Sequence, residues 1–226
     1  MKVAEHERFK SVYWVELDDG TRKLATINLA RETQVYGERL VNVNGEEYRL
    51  WDPYRSKLAA SILKNVKENP IVSGKRVLYL GAASGTTSSH VSDIVGLKGC
   101  VYCIEVSSRP LRDLLVVCGK RPNMLPILAD ARQPHSYCSL LKKVDVIYQD
   151  VAQPDQTEIL LANARAFLQK GGHAMLSLKA RSIDVTKEPR EIFRDEMEKL
   201  EKEMEVIDAK ILDPYEKDHA MIVLRK

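Results

Sequence analysis

The stretch VLYLGAASGTTSSHVSDIV, Val77 to Val95, decides how this chain is read. Val77–Leu80 is an apolar run that enters a turn at Gly81, and a helix opens after Gly85. Strand, glycine turn and helix in that order bring bare backbone close to a ligand and aim free helix N–H groups at an electron-rich partner. The glycines are spaced G-x-x-x-G, at 81 and 85. Nicotinamide and flavin sites use G-x-G-x-x-G, and the phosphate-binding loop ends in Gly-Lys-Ser/Thr, so both readings weaken. Glu105 closes the next apolar run, CVYCIE, 20 residues after Gly85. A doubly wound sheet places an acid there to hold both ribose hydroxyls of a nucleoside. Together the turn and the acid suggest S-adenosylmethionine, a nucleoside that bears a carboxylate.

Working outward from this motif, strand-like and helical patterns alternate to the C-terminus, which predicts a parallel sheet with helices on both faces. The expected strands are Val77–Leu80, Val101–Glu105, Met124–Leu128, Val144–Tyr148, Ala174–Leu178, Val206–Leu212 and Ala220–Leu224. The short link LDPYEKDH between the last two suits an antiparallel hairpin better than a crossover. In PREIFRDEMEKLEKEM, Phe193, Met197, Leu200 and Met204 fall at helical spacing amid charge, which predicts a helix lying on the sheet with one face in water. Before the motif, SVYWVELDDGTRKLATINL and RLVNVNGEEYRL each hold two strand-like runs, around Asp18-Asp19-Gly20 and Asn44-Gly45, and Asn-Gly is a strong hairpin signal. WDPYRSKLAASILKN then turns helical after Pro53, with Leu58, Ile62 and Leu63 able to face inward. The chain therefore divides near Trp51 into an N-terminal antiparallel β domain, residues 1–51, and a larger α/β domain, residues 52–226.

From Tyr48 onward the segments YRLWDPYRSKLAA, VLYLGAASGTTSSHVSDIVG, YQDVAQPDQTEI, SLKARSIDVTKEP and DHAMIVLR resemble fibrillarin, the archaeal and nucleolar methyltransferase family of box C/D ribonucleoproteins. The resemblance extends loosely over the N-terminal strands. It implies the class I methyltransferase fold: a Rossmann-like, seven-stranded, mostly parallel sheet whose last strand is antiparallel. Eukaryotic members carry a Gly/Arg-rich tail, which has no counterpart in a chain holding only 11 glycines.

Composition bounds the rest. Lys and Arg number 35 against 32 Asp and Glu, and a net charge of +3 does not by itself call for nucleic acid, so any RNA surface must be local. No apolar run approaches the roughly 20 residues that span a bilayer, and MKVAEHERFK lacks the apolar core of a secretory signal, so a cytoplasmic protein is expected, nucleolar in eukaryotic relatives. Cys100 and Cys103 form a C-x-x-C pair, but within a strand and without a second ligand pair at metal-binding spacing. They are expected to be buried core thiols, with no metal site.

Four loops at the carboxyl ends of the parallel strands frame the expected pocket. The first carries Gly81, Ala83, Gly85, Thr86 and Thr87 for the methionine end of the cofactor, although the threonines also suit helix capping. The second carries Glu105 and Val106; the resemblance implies that Glu105 contacts ribose and the next residue packs on adenine, where family members often have an aromatic in place of valine. In the third, Asp130 can accept from the adenine amino group while the amide of Ala131 donates to a ring nitrogen; a plain turn aspartate is the alternative. The fourth places Asp150, Val151, Ala152 and Gln153 near the sulfonium, where a carboxylate is electrostatically favourable.

Lys179 ends one predicted strand, Asp150 follows its neighbour, and His219 begins the antiparallel last strand, so all three should emerge at one edge. Lys57, in the RSKLAA match, completes a set that resembles the Lys-Asp-Lys-His arrangement of fibrillarins. Lys179 is read as the proton acceptor, oriented by Asp150, with Lys57 as the neighbouring cation; His219 also suits a structural role. Arg55, Arg109, Arg112 and Arg181 are the local basic candidates for RNA. The resemblance implies guide-RNA-directed 2′-O-methylation of pre-rRNA and tRNA. Its implied partners are a box C/D guide RNA, a Nop-domain scaffold protein docking on the N-terminal domain and adjoining helical face, and a kink-turn-binding ribosomal-type protein. A small-molecule or protein methyltransferase on the same fold, and a non-enzymatic scaffold subunit, are the alternatives.

Overall fold

The computed structural model of the protein describes all 226 residues, which build two sheets. The first is wholly antiparallel: β1 (Lys2–Glu5), β2 (Tyr13–Glu16), β3 (Arg22–Ile27), β4 (Leu40–Val43) and β5 (Glu46–Trp51), in the order β1-β2-β3-β5-β4. Asn44 and Gly45 both take positive φ, 52° and 85°, so the β4–β5 turn has the twist that hairpins favour. Strand β1 is absent from the sequence reading. In KVAE only Val3 packs on the small core of this sheet, too little periodicity to register.

The second sheet holds β6 (Arg76–Leu80), β7 (Cys100–Glu105), β8 (Met124–Leu128), β9 (Val144–Gln149), β10 (Leu168–Lys179), β11 (Glu205–Ile211) and β12 (His219–Arg225). Its order is β11-β12-β10-β9-β6-β7-β8, and β12 runs antiparallel to both neighbours. Strand β10 is longer than its sequence pattern indicates, because Leu168 pairs with Val144 before an irregularity resumes the register at His173. Between strands lie α1 (Lys57–Leu63), α2 (Thr86–Val95), α3 (Ser108–Gly119), α4 (Gln156–Phe167), α5 (Ala180–Ile183) and α6 (Pro189–Leu200). Helix α6 ends at Leu200, short of Met204, which is nonetheless buried.

Alternation along the strands splits the core into two layers. Val77, Tyr79, Val101 and Cys103 face α1, α2 and α3, whereas Leu78, Leu80, Ile104 and Ile147 face α4 and α6. Cys103 is buried as expected, but Cys100, first in its strand, is only half-buried, and all four cysteines are free.

A buried ionic cluster joins the two sheets. Asp93 of α2 accepts from Arg49 of β5 at 2.8 Å, from Arg121, from the Thr26 hydroxyl at 2.8 Å and from the Leu29 amide at 3.0 Å. Arg49 also bonds the Glu38 carboxylate and Ser89. Beside it, His90 is held between the hydroxyls of Thr26 and Tyr36, each at 2.8 Å, and stacks on Trp51. Helix α2, whose amino end faces the edge described below, is thus bolted to the N-terminal sheet by charge as well as packing.

Removing the Asp93 carboxylate leaves the buried Arg121 guanidinium without a counterion and Arg49 with Glu38 alone, a change that costs about 3–5 kcal/mol. Asp93→Ala is expected to unfold at a much lower urea concentration than wild type; an unchanged midpoint would show that the cluster does not hold the two sheets together.

Candidate active site

Strands β6, β7, β8 and β9 are parallel, and their carboxyl ends surround a cavity of about 170 Å³. Gly81 and Ala83 form one wall, Glu105 and Val106 a second, Asp130 and Ala131 a third, and Asp150 to Gln153 the fourth. Ile104, Ala129 and Ile159 supply apolar surface between them.

Each wall has a local cause. Gly81 lies at φ 81°, and a Cβ there would overlap the Asp150 carbonyl oxygen, so only glycine lets the first loop cross the end of β9. The Asp150 amide donates to the Leu80 carbonyl at 2.9 Å and fixes that crossing. Ala83 is also left-handed, at φ 47°, which turns its amide onto Glu105 Oε2 at 2.8 Å. The Ser107 amide holds Glu105 Oε1 at 2.8 Å. With both oxygens anchored by backbone and only 7 % of the residue exposed, the carboxylate is pre-positioned and keeps further lone pairs for the cavity.

Gly85, Thr86 and Thr87 are placed differently from the rest of the expected cofactor set. Gly85, at φ 96°, starts α2 with no side-chain cap, which leaves first-turn amides for a ligand. The Thr87 hydroxyl donates to Ser56 Oγ at 3.0 Å, and Thr86 lines a neighbouring groove. Asp130 is both a turn residue and a wall residue: it accepts from the Arg132 amide at 2.9 Å while lining the cavity. The Arg132 guanidinium bonds Asp155 through two nitrogens and Gln153 Oε1, each at 2.7 Å, tying the third loop to the fourth. The sequence reading missed Arg132; nothing in LADARQP distinguishes it from a surface cation.

Helix α1 starts beside the cavity. Ser56 caps it by accepting from the Ala59 amide, and Lys57, next in line, donates to Asp150 Oδ2 at 3.0 Å. Glu216 lies 3.6 Å from the same ammonium. Burial works against the Lys57 charge, but the two carboxylates outweigh it and raise the pKa, so this lysine stays an ammonium. The expected orientation of Lys179 by Asp150 does not occur, because α1 lays Lys57 across the end of β9 and takes that carboxylate. Lys179 is instead held by its backbone: its amide donates to Gln156 Oε1 at 2.9 Å and its carbonyl accepts from Gln156 Nε2 at 3.0 Å. Its ammonium has no carboxylate partner, and it stands opposite His219 in the β10–β12 register.

His219 Nδ1 lies 2.6 Å from the Lys217 carbonyl and donates to it, leaving Nε2 buried and unpartnered. Burial, aided by the Lys57 and Lys179 cations, lowers its pKa against the pull of that carbonyl and of Glu216. Lys57, Asp150, Lys179 and His219 therefore meet at one edge as expected, and Ser56, Gln156 and Glu216 are the supporting residues that sequence alone did not single out. Of the basic candidates, Arg55 lies over the Tyr36 ring at 5.3 Å, and Arg109 and Arg112 are exposed on α3. Arg181 bonds Asp218 at 3.1 Å and the Val185 carbonyl at 2.9 Å, so much of its donor capacity is engaged by its own loop.

Residues 3–226 match the family model described as Fibrillarin. A fibrillarin-like rRNA/tRNA 2′-O-methyltransferase of Methanopyrus kandleri is 54% identical over 224 residues, covering 99% of this chain and 97% of that one. The structure of Aeropyrum pernix fibrillarin, which contains natively bound S-adenosyl-L-methionine, superposes with a TM-score of 0.93 at 51% identity, covering 99% and 98% of the two chains. The fibrillarin chain of a fibrillarin/Nop5p complex gives a TM-score of 0.86 at 43% identity, covering 97% and 99%.

The His219 environment sets a pH dependence. Its folded pKa lies below the ordinary 6.5, so the unfolded chain takes up the proton first as pH falls. The stability tied to the neutral ring is complete above pH 6.5 and is lost as pH drops through the folded pKa. Nitrogen NMR is expected to show the neutral Nδ1–H tautomer at neutral pH, titrating below 6.5; a pKa above that value would contradict the buried, cation-flanked placement.

Proposed function

The chain belongs to the fibrillarin family, and from that premise we propose that it methylates ribose 2′-oxygens of rRNA and tRNA as the catalytic subunit of a guide-directed box C/D ribonucleoprotein. The observation that carries this reading is the convergence, at one sheet edge, of a cavity walled by Gly81, Glu105, Asp130 and Asp150, the Lys57–Asp150 pair and the carboxylate-free Lys179. The cavity fits S-adenosylmethionine on its own chemistry. Glu105 is fixed to receive ribose hydroxyls, and Val106, Asp130 and Ala131 form the adenine side. Gly81 and Ala83 form the wall assigned to the methionine portion, Gly85 and the uncapped first-turn amides of α2 at Thr86 and Thr87 lie next along the chain to complete it, and Asp150 to Gln153 close the remaining side. When bound, that cofactor supplies an electrophilic methyl group.

The rest of the chemistry belongs to the chain. A ribose 2′-hydroxyl is a weak nucleophile until its proton leaves and the developing alkoxide is stabilised. Lys57 is held charged by Asp150 and Glu216, which suits it to stabilise that oxygen and unsuits it as a base. The proton passes to the Nζ of Lys179 in its amine form; its strand end is locked by Gln156 and its head group has no carboxylate partner. Asp150 orients Lys57, and the neutral His219 occupies the space beside Lys179 without adding a third cation.

The fibrillarin/Nop5p complex supports a Nop-domain scaffold as the docking partner, with a kink-turn-binding protein and the guide RNA completing the particle. Residues 1–51 would then serve docking and recognition, and 52–226 catalysis. No helix is long and apolar enough to cross a membrane, and the cytoplasm is the compartment we assign.

Reconstitution with guide RNA, scaffold and kink-turn protein, followed by mapping of the methylated ribose, tests the reading. In that system Lys179→Ala is expected to slow single-turnover methyl transfer by at least about 100-fold, the scale of a lost general base. S-adenosylmethionine affinity by calorimetry should stay near wild type. Transfer at the wild-type rate with cofactor bound would remove Lys179 from the mechanism.

A further inference from the structure

On the far side of the first loop from the cofactor cavity runs a second depression, built from two adjoining cavities of about 360 Å³ and about 530 Å³ that share Tyr36 and Arg55. The loop is the common wall: Gly81 and Ala83 line the cofactor side, Ser84 and Thr86 the other. Four cations line this groove, Lys23 from β3, Arg39 from the loop just before β4, Arg55 from the segment before α1, and Lys120 just after α3. None of the four has a carboxylate within ion-pair distance, whereas Arg22, next to Lys23, pairs with Glu7 and Arg49 pairs with Glu38 and Asp93.

The groove is built, not a chance gap between side chains. The loop from Gln34 to Arg39 is wound about the buried Glu38 carboxylate, which accepts from the amides of Val35 and Tyr36 at 3.0 Å and 2.9 Å and from Arg49. Tyr36 is braced from behind, its hydroxyl 2.8 Å from His90 Nε2, and the Arg55 guanidinium lies on its ring. A fixed aromatic wall carrying a stacked guanidinium, flanked by unpaired cations on both sides, suits a polyanion whose charges repeat along its length. Of the carboxylates lining the groove, Glu38 is neutralised by Arg49, which leaves Asp52 and Asp113 against four cations. Arg55, which both cavities share, precedes by two residues the Lys57 that bonds Asp150.

We propose that this groove is the track for the sugar-phosphate backbone of the RNA strand bearing the target ribose, with Lys23, Arg39 and Lys120 joining Arg55 as phosphate contacts. The N-terminal sheet thereby contributes directly to substrate binding. The proposal rests on the RNA methyltransferase reading, and its test separates the two.

Lys23, Arg39 and Lys120 are exposed and unpaired, so the triple variant Lys23→Glu, Arg39→Glu, Lys120→Glu leaves the core untouched. Lys142, Lys170 and Lys202, exposed at the opposite edge of the large sheet, give a reversal of equal charge as the control. Affinity for a labelled single-stranded RNA of about 12 nucleotides, read by fluorescence anisotropy across a KCl series, is expected to fall at least about tenfold in the groove variant and at most about threefold in the control. The log–log salt slope should flatten by about two, from three lost contacts at ~0.7 each. Both variants should bind S-adenosylmethionine as wild type does. Equal losses in the two variants, or an unchanged slope, would overturn the groove. A wild-type chain that binds RNA in this way yet takes no S-adenosylmethionine would instead overturn the methyltransferase reading and leave the groove standing.

Discussion

The Asp150 carbonyl occupies the space where a side chain at residue 81 would lie, and the rest of the site follows from that contact. Because residue 81 is glycine, the end of β6 can cross the end of β9 and the Asp150 amide can bond the Leu80 carbonyl. The crossing turns the next residues toward β7, where the Ala83 amide meets Glu105, and it delivers the amino end of α2 to the cavity rim. It also sets the Asp150 side chain where α1 can reach it. One missing Cβ thus links the cavity wall to the Lys57–Asp150 pair.

Buried charge is used twice, for different ends. The Asp93 cluster has its carboxylate and both guanidiniums almost wholly out of solvent, and it fastens the N-terminal sheet to α2. Such a cluster contributes orientation more than net stability, since desolvation offsets much of the attraction. At the carboxyl edge of the large sheet, Lys57 and Asp150 are less deeply buried, with side chains 15% and 18% exposed, so the pair stays reachable from solvent while a second carboxylate, Glu216, holds the lysine charged. Helix α2 connects the two: Asp93 sits near its carboxyl end, and at its amino end Thr87 bonds Ser56, the cap of the helix that carries Lys57. The placement of the N-terminal sheet and of Lys57 thus share one rigid element.

Much of this was legible in the chain because it depends on local pattern. Strand, glycine turn and acid at fixed spacing locate the cavity walls at Gly81 and Glu105, the ends of the next parallel strands locate Asp130 and Asp150, and the short link before His219 gives the antiparallel end that brings it beside Lys179. What the sequence did not reveal depends on contacts between distant segments. Which carboxylate neutralises which lysine is decided by the path of α1 over β9, and no spacing rule encodes that path. Gln156, a buried residue in the first turn of α4, reads as an ordinary helix residue until both its amide atoms are seen clamping the Lys179 backbone. The groove along the N-terminal domain was invisible for the same reason: Lys23, Arg39 and Lys120 lie far apart in the chain and meet only through the Asp93 cluster that unites the sheets.

The central claim is that Lys57 and Asp150 act as one unit, the carboxylate fixing the ammonium that faces the acceptor oxygen. A double-mutant cycle on single-turnover methyl transfer, with Lys57→Met, Asp150→Asn and the double variant, measures that coupling directly. If the two are a unit, the double variant will be no more than about threefold slower than the slower single variant. If the two defects multiply, each residue acts independently and the account of the pair is wrong.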